Sequence, residues 1–184
     1  YYPYSMGETA ENIATRWQIS REAQDQFALA SQLKYKAALD AGIWPGEIIP
    51  VPITPNKQEQ VLISNDEHPR ETSLEKLAGL RPAFAKDGSV TAGNSAGIND
   101  GAALVLVVSE KALKQYNLTP LMQVKSMAVA GVDPAIMGIG PVPATEKALK
   151  RAGISASHLD LIELNEAFAV QALACIRDLG LDLA

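Results

Sequence analysis

The chain has 184 residues, 47% of them hydrophobic and 20% charged, which is enough for one sizeable core or for parts of two domains. Its net charge of −5 argues against nucleic-acid binding through bulk electrostatics, and its longest uninterrupted apolar run, 102–108, is too short to span a membrane. The single cysteine, Cys175, favours a reducing compartment, so we expect a cytoplasmic location, or an organelle matrix in a eukaryote.

The first half of the chain predicts helices followed by an irregular surface segment. Residues 8–17 are typical of a short helix, and a serine N-cap with helical apolar spacing predicts a longer helix over about 21–41, ended by Gly42. Three prolines within 42–53 allow at most an edge strand, because proline cannot donate into a ladder. Residues 54–80 are polar and predict an excursion over the surface.

The second half predicts strands that alternate with helices. This order favours a layered α/β unit with right-handed crossovers. The strands are expected over 102–108, 121–130 and 159–164, and the helices over 111–116, about 144–152 and 166–179.

Two polar residues, Asn165 and Glu166, stand between the last predicted strand and the last predicted helix. Asn165 is interpreted most simply as the N-cap of that helix, with Glu166 placed favourably in its first turn. The alternative is functional: an amide donor at the carboxyl end of a strand, where α/β folds gather their sites, could hold a water or an oxyanion. The residues alone leave both interpretations open.

The glycine-rich segment 93–101 indicates a backbone that passes close to something such as a ligand or another strand. It is neither a Walker loop nor a dinucleotide fingerprint. The shorter Gly138-Ile139-Gly140 could cradle an anion before a helix, although a tight turn explains it equally. Arg70, Arg81 and Lys86 are ordinary surface cations that would meet an anionic ligand if the glycine-rich segment binds one.

The residues with the most reactive side chains give no catalytic pattern. Cys175 lies in an apolar predicted helix without a neighbouring base and is interpreted as a buried structural thiol. His68 and His158 lack the spacing of metal ligands, so we expect no metal site.

Five motifs together resemble one family in order and spacing. They are MGETAENIA (6–14), RPAF (81–84), GNSAGINDGAA (93–103), GIGPVPA (138–144) and NEAFA (165–169). The chain is similar to the thiolases, the acetyl-CoA acyltransferases, over nearly its whole length. The ketoacyl synthases share the thiolase fold but are not known to combine GNSAGIND with NEAFA.

The resemblance implies an α/β, thiolase-like fold that is partial. Thiolases join two similar halves and insert a loop domain that covers coenzyme A. By motif, residues 1–98 would form part of the loop domain, 99–119 the end of the N-terminal domain, and 120–184 the start of the C-terminal domain. Family members form homodimers or homotetramers, with CoA and acyl-CoA as partners and no nucleic acid or membrane.

The resemblance also implies the chemistry. Thiolases cleave 3-ketoacyl-CoA with CoA, or run the reverse Claisen condensation, through an acyl-cysteine. No covalently bound cofactor is implied; coenzyme A and acyl-CoA are substrates. Carried over by motif, Asn165 would hold the water of an oxyanion hole, and Arg70 would approach the nucleotide end of CoA. The residues expected along the pantetheine tunnel are Met6, Phe84, Ala92, Met137, Ala167 and Phe168.

Departures from the family pattern qualify this assignment. The nucleophilic cysteine would precede Tyr1, and the histidine of the GHP motif and a second cysteine would follow Ala184. The printed residues alone are therefore expected to be inactive, with segment 102–108 exposed for want of its sheet. Within the glycine-rich segment, Ala96 stands where many members have a serine that touches the pantetheine, and here the serine is one place earlier, at Ser95. Immediately before MGETAENIA the chain has Ser5 where short-chain biosynthetic members often have histidine, which leans towards a degradative enzyme, here of fatty-acid β-oxidation.

Two alternatives of other classes stay open at this point: a non-catalytic CoA-binding module derived from a thiolase, and a purely structural or interaction module.

Overall fold

The computed structural model describes residues 4–55 and 59–183. The regular secondary structure of the described chain is mostly helical, with one small antiparallel sheet. Its helices are α1 (Met6–Trp17), α2 (Arg21–Asp40), α3 (Leu74–Ala78), α4 (Glu110–Tyr116), α5 (Pro141–Ala152) and α6 (Ala169–Leu179), its strands are β1 (Val51–Ile53) and β2 (Val61–Ile63), and short 3-10 helices span Trp44–Gly46, Pro134–Ile139 and Ala156–His158. None of the described helices is both long and apolar enough to cross a membrane.

The first two helices begin where local chemistry predicts. Ser5 caps α1 through a reciprocal capping box with Glu8, so the helix starts two residues earlier than the apolar spacing suggested. Ser20 caps α2 by accepting a hydrogen bond from the backbone N–H of Ala23. Gly42 follows α2 with φ +70°, the left-handed conformation that glycine adopts at least cost. The prediction of a helix over about 21–41 is confirmed to within a residue.

The core lies where α1 and α6 pack against each other and against the 3-10 helix Pro134–Ile139. Helices α2 and α5 also pack against α6. Ile13 of α1, Val170 of α6 and Val90 from the segment before the glycine-rich run are completely buried there. Full burial of a side chain of this size contributes about 1.5–3 kcal/mol. The core therefore joins segments that are far apart in the chain.

The segment after α2 is more regular than its composition suggested. Strands β1 and β2 pair antiparallel, with Val51 opposite Ile63 and Ile53 opposite Val61, and Pro52 stands inside β1. A proline is tolerated because this two-stranded sheet has a free edge on each side. The prediction that 54–80 is wholly irregular is wrong, because it contains β2 and α3.

The three predicted strands over 102–108, 121–130 and 159–164 are wrong for the described chain, because none of them forms a ladder. Leu104 is 98% exposed and Leu121 96% exposed. A strand needs a hydrogen-bonded neighbour, and no other described segment pairs with these three. Many of their apolar side chains are therefore exposed to solvent, as expected for segment 102–108.

The last helix also differs from its prediction. It begins at Ala169 and not at 166, and its N-cap is Phe168, whose side chain makes no capping hydrogen bond. Asn165 therefore lies outside the helix, and the interpretation of Asn165 as its N-cap is wrong. The physical reason is that Ala167 and Phe168 pair with the glycine-rich segment, and the N–H of Ala169, the first residue of α6, bonds to that segment as well.

Candidate functional site

A cavity of about 280 Å³ opens between α1, the 3-10 helix Pro134–Ile139 and the start of α6. Five of the residues singled out in the sequence line it: Met6, Met137, Asn165, Ala167 and Phe168. They come from three segments separated by more than twenty residues each, so only the tertiary fold brings them together. The remaining wall is largely apolar and consists of Thr9, Ala10, Ile13, Gly138, Pro141, Leu164 and Gln171.

Phe84 does not line this cavity but contacts Phe168, which does. The two rings meet edge to face, with centroids 6.0 Å apart and planes at 85°. The ring of Phe84 also lies over Gly7, where an added Cβ would fall 2.2 Å from Phe84 Cδ1. Glycine at position 7 therefore makes room for the aromatic pair beside the cavity.

The segment that carries Asn165 is fixed by the glycine-rich segment. Ala96 donates its backbone N–H to Ala167 O, and Ala169 donates to Asn94 O, both at 2.9 Å, on either side of a β-bridge between Ser95 and Phe168. The backbone of the glycine-rich run thus passes close to residues 167–169, through an isolated bridge and not beside a full strand.

Asn165 itself lies exposed at the cavity, and its side chain makes no hydrogen bond to any described residue. An amide placed in this way has both donors and its acceptor available to a ligand or a water. Its neighbour Glu166 is anchored, because Glu166 Oε2 accepts a hydrogen bond of 2.6 Å from Ser31 Oγ of α2.

Buried polar groups hold the glycine-rich segment in place. The Asn94 amide donates to Asp25 Oδ1 at 2.9 Å and to Ser89 O at 3.1 Å, while Asn94 Oδ1 accepts from the backbone N–H of Thr91. The carboxylate of Glu11 accepts from the backbone N–H groups of Ser89 and Val90. Hydrogen bonds to ionised groups are about twice as strong as neutral ones, so this network fixes the backbone firmly.

Arg70 and Ala92 do not line the same cavity. Arg70 lines a separate cavity of about 500 Å³ between α2 and residues 65–72, where its backbone N–H donates to Gln32 Oε1. Ala92 is exposed in the turn that precedes Asn94 and lines neither cavity. Binding roles for these two residues, as for the other predicted site residues, stay predictions.

Two family models match the chain: the thiolase N-terminal domain over residues 1–111 and the thiolase C-terminal domain over residues 118–184. The chain belongs to the thiolase family. Among curated relatives of this thiolase chain, the acetyl-CoA acetyltransferase of Paracoccus denitrificans is 54% identical over 97% of the chain and 46% of the relative. That of Escherichia coli K12 is 52% identical over 97% of the chain and 45% of the relative. The thiolase chain thus spans about half the length of the curated relatives it matches.

Solved structures confirm the α/β, thiolase-like fold as a partial one. The acetyl-CoA acetyltransferase of Bacillus anthracis matches with a TM-score of 0.92 and 49% identity, over 96% of this chain and 45% of that one. Human mitochondrial 3-ketoacyl-CoA thiolase in complex with CoA matches with a TM-score of 0.88 and 51% identity, over 97% and 44%. The domain boundaries at 98/99 and 119/120 stay predictions.

Cys175 of this thiolase chain is a buried thiol of the core. Its Sγ lies 3.4 Å from Gly138 O and 3.7 Å from Gln171 Nε2, and burial raises the pKa of the thiol above its usual range. A raised pKa opposes thiolate formation, so Cys175 is no activated nucleophile. Within the described ranges, no group of three or more His, Cys, Asp or Glu side chains could hold a metal ion.

The structure adds residues that the sequence did not single out. Gln171 lines the cavity and is buried, and its Oε1 has no hydrogen-bond partner among the described residues. A glutamine inside the apolar run after NEAFA was a visible signal for this position. Glu11, Asp25 and Ser31 gave no such signal, because acidic and hydroxyl side chains are common on helix surfaces.

Proposed function

We propose that this chain is the CoA-binding part of an acetyl-CoA acyltransferase and that it supplies one oxyanion-hole residue, Asn165, while the nucleophilic cysteine and the histidine base lie outside the printed residues. The observation that supports this most is the convergence of Met6, Met137, Asn165, Ala167 and Phe168 on one cavity. A largely apolar wall with the amide of Asn165 exposed beside it suits a pantetheine arm that ends in a thioester.

The chemistry of such a site divides into two half-reactions. The cysteine thiolate attacks C3 of a 3-ketoacyl-CoA, the C2–C3 bond breaks, and its electron pair passes to C2 as the enolate of acetyl-CoA. Protonation of C2 releases acetyl-CoA and leaves the acyl group on the cysteine as a thioester. The thiol of a second CoA then attacks that thioester, forms the shortened acyl-CoA and frees the cysteine.

Asn165 acts in the first half-reaction. Negative charge develops on the thioester oxygen of the leaving enolate, and a water held by the Asn165 amide donates to that oxygen together with the histidine. A donor fixed before the reaction stabilises this charge more than bulk water does, because it does not have to reorient. Ala167 and Phe168, with Met6, exclude solvent from the reacting thioester.

Thiolysis of acetoacetyl-CoA by the full-length protein tests this proposal. Asn165→Ala is expected to lower kcat about 100-fold, the size of effect that follows removal of one oxyanion-hole donor, with little change in the KM for CoA. Asn99→Ala is the matched control, because Asn99 is an exposed asparagine that lines neither cavity. Full activity of Asn165→Ala would contradict the assigned role.

A second candidate function is a CoA-binding module without catalysis. The buried, protonated thiol of Cys175 favours it for the printed residues on their own, since their one cysteine is no nucleophile. Saturable binding of CoA without thiolysis by the full-length protein would support this second function over the first.

The proposal also covers the metabolic direction, the compartment and the oligomeric state of the enzyme. We infer a degradative acyltransferase of β-oxidation in a reducing compartment, assembled as a homodimer or homotetramer. Relative kcat/KM for acetoacetyl-CoA and longer 3-ketoacyl-CoA substrates tests the degradative assignment, and light scattering of the full-length protein tests the assembly.

A further inference from the structure

A hydrogen bond joins Ser31 of α2 to Glu166, the residue that follows Asn165. We propose that Ser31 and Glu166 are positioning residues for the reaction, acting through the Asn165 amide. This inference rests on the proposed function, in which that amide holds the water of the oxyanion hole.

The bond is short and joins distant parts of the chain. Ser31 Oγ donates to Glu166 Oε2 over 2.6 Å across 135 positions of sequence. The acceptor is a carboxylate oxygen, and hydrogen bonds to carboxylates are stronger than those between neutral groups. Glu166 does not cap α6, because that helix begins at Ala169. Its one hydrogen bond among the described residues is therefore to α2.

Downstream of Asn165 the backbone is already fixed. Ala167 O and the Ala169 N–H both bond to the glycine-rich segment. Upstream, residues 160–166 make no backbone hydrogen bond to any other described residue. Asn165 thus lies between a stretch whose backbone is hydrogen-bonded to the glycine-rich segment and a stretch whose backbone is not. The hydrogen bond of the Glu166 side chain is the attachment nearest to Asn165.

Helix α2 is a suitable anchor because it is tied to the same glycine-rich segment. Asp25, two turns before Ser31, accepts the hydrogen bond from buried Asn94 and forms an ion pair with Arg21 at 2.8 Å. Ser31 and the glycine-rich segment consequently belong to one packed unit. Residues 165–169 are attached to this unit twice, through the Glu166 side chain to Ser31 and through the backbone of 167–169 to the glycine-rich segment. These two attachments restrain the Asn165 amide relative to the cavity.

The test uses the full-length protein and acetoacetyl-CoA thiolysis. We expect Ser31→Ala and Glu166→Ala each to lower kcat about tenfold with KM changed less than twofold, because misplacing a catalytic group lowers the rate more than the affinity. Glu166→Gln keeps an oxygen that can accept from Ser31 and is expected to stay within about threefold of the wild type. The control is Gln26→Ala, which removes an exposed hydrogen bond to Glu22 on the same helix.

The readouts separate positioning from general stability. Alanine has a higher helix propensity than serine, so Ser31→Ala is expected not to lower the Tm. In an Asn165→Ala background, Ser31→Ala and Glu166→Ala are expected to have no further effect on kcat, because their effect passes through the missing amide.

Several results would overturn the inference: an unchanged kcat in Ser31→Ala, a loss in Glu166→Gln equal to that in Glu166→Ala, or additive losses in the Asn165→Ala background. If Glu166→Ala fails to fold, Ser31→Ala and Glu166→Gln decide. An active Asn165→Ala would instead remove the proposed role of Asn165, and this outcome is distinguishable because it involves neither Ser31 nor Glu166.

Discussion

The side-chain amide of Asn94 donates a hydrogen bond of 2.9 Å to Asp25 Oδ1, and both side chains are buried. This contact links helix α2 to the glycine-rich segment, which in turn pairs with the residues beside Asn165. The polar residues of the glycine-rich segment therefore stabilise the position of residues 167–169, of which Ala167 and Phe168 form part of the cavity wall.

Removal of the Asn94 amide is expected to destabilise the protein. Asn94→Ala leaves Asp25 buried with only Arg21 as partner and also leaves Thr91 N–H without its acceptor. Unsatisfied buried groups cost about 1–3 kcal/mol each, so we expect a loss of about 3 kcal/mol in the free energy of unfolding, measured by urea denaturation. Asn99→Ala, at an exposed position of the same segment, is expected to change stability by less than about 0.5 kcal/mol. Equal losses in the two variants would show that the Asp25 contact is unimportant.

Replacement of Gly7 sets helix propensity against packing. Gly7 is the second residue of α1, where alanine is favoured over glycine by less than the about 1 kcal/mol of a helix interior. A Cβ at position 7, however, would lie 2.2 Å from the ring of Phe84, and overpacking costs about 1–3 kcal/mol. We expect the steric term to prevail, so that Gly7→Ala lowers the urea midpoint and displaces Phe84 from Phe168.

Gly79→Ala provides the comparison for Gly7→Ala. Gly79 ends α3 with φ −72°, and the nearest atom to an added Cβ is Glu75 O at 3.5 Å, an ordinary contact. Gly79→Ala is expected to be neutral, or to stabilise the protein by about 0.5 kcal/mol because alanine lowers the conformational entropy of the unfolded chain. A stabilising Gly7→Ala would mean that Phe84 moves aside without cost.

The buried thiol of Cys175 predicts a loss of stability at alkaline pH. Burial raises the pKa of this thiol above its usual 9.0, so the unfolded chain releases the proton at a lower pH than the folded one. The contribution of the protonated thiol to the free energy of unfolding is fully present below pH 9.0 and is lost as the pH rises through the folded pKa. The free energy of unfolding falls by no more than about 1.4 kcal/mol per pH unit over this range. The measurement is the difference in unfolding free energy between wild type and Cys175→Ala from pH 8 to about 10.5.

Alkylation gives an independent check on the same thiol. Iodoacetamide at pH 8 is expected to modify Cys175 rapidly in urea and very slowly in the folded protein, because only the unfolded thiol is both accessible and readily ionised. Rapid modification of the folded protein would contradict the burial of Cys175.

The exposed segment 102–108 predicts self-association of the isolated 184-residue polypeptide. Val105 and Val107 are 82% and 81% exposed, and apolar segments with unpaired backbone groups template pairing with other chains. We expect concentration-dependent oligomers by light scattering, and Val105→Lys with Val107→Lys is expected to reduce them. Leu62→Lys in β2, where Leu62 is 65% exposed, is the control and is expected to leave the oligomers in place.

Local sequence located helix α2 and identified the family. Caps and apolar spacing located α2 to within a residue, because a helix satisfies its hydrogen bonds within one segment. Serine caps and a following glycine act over a few residues only. The motifs identified the thiolase resemblance for the same reason, since each is a short continuous stretch.

Only the tertiary structure decided the strands, the start of α6 and the membership of the cavity. Segment 102–108 has the composition of a buried strand, yet a strand forms only where another segment supplies its hydrogen bonds. Helix α6 starts at Ala169 because the residues before it bond to the glycine-rich segment, more than seventy positions upstream. Arg70 lines the separate cavity because residues 65–72 pack beside α2, which is also a contact between distant segments. These features depend on contacts between segments distant in sequence, and no local pattern records which distant segments meet.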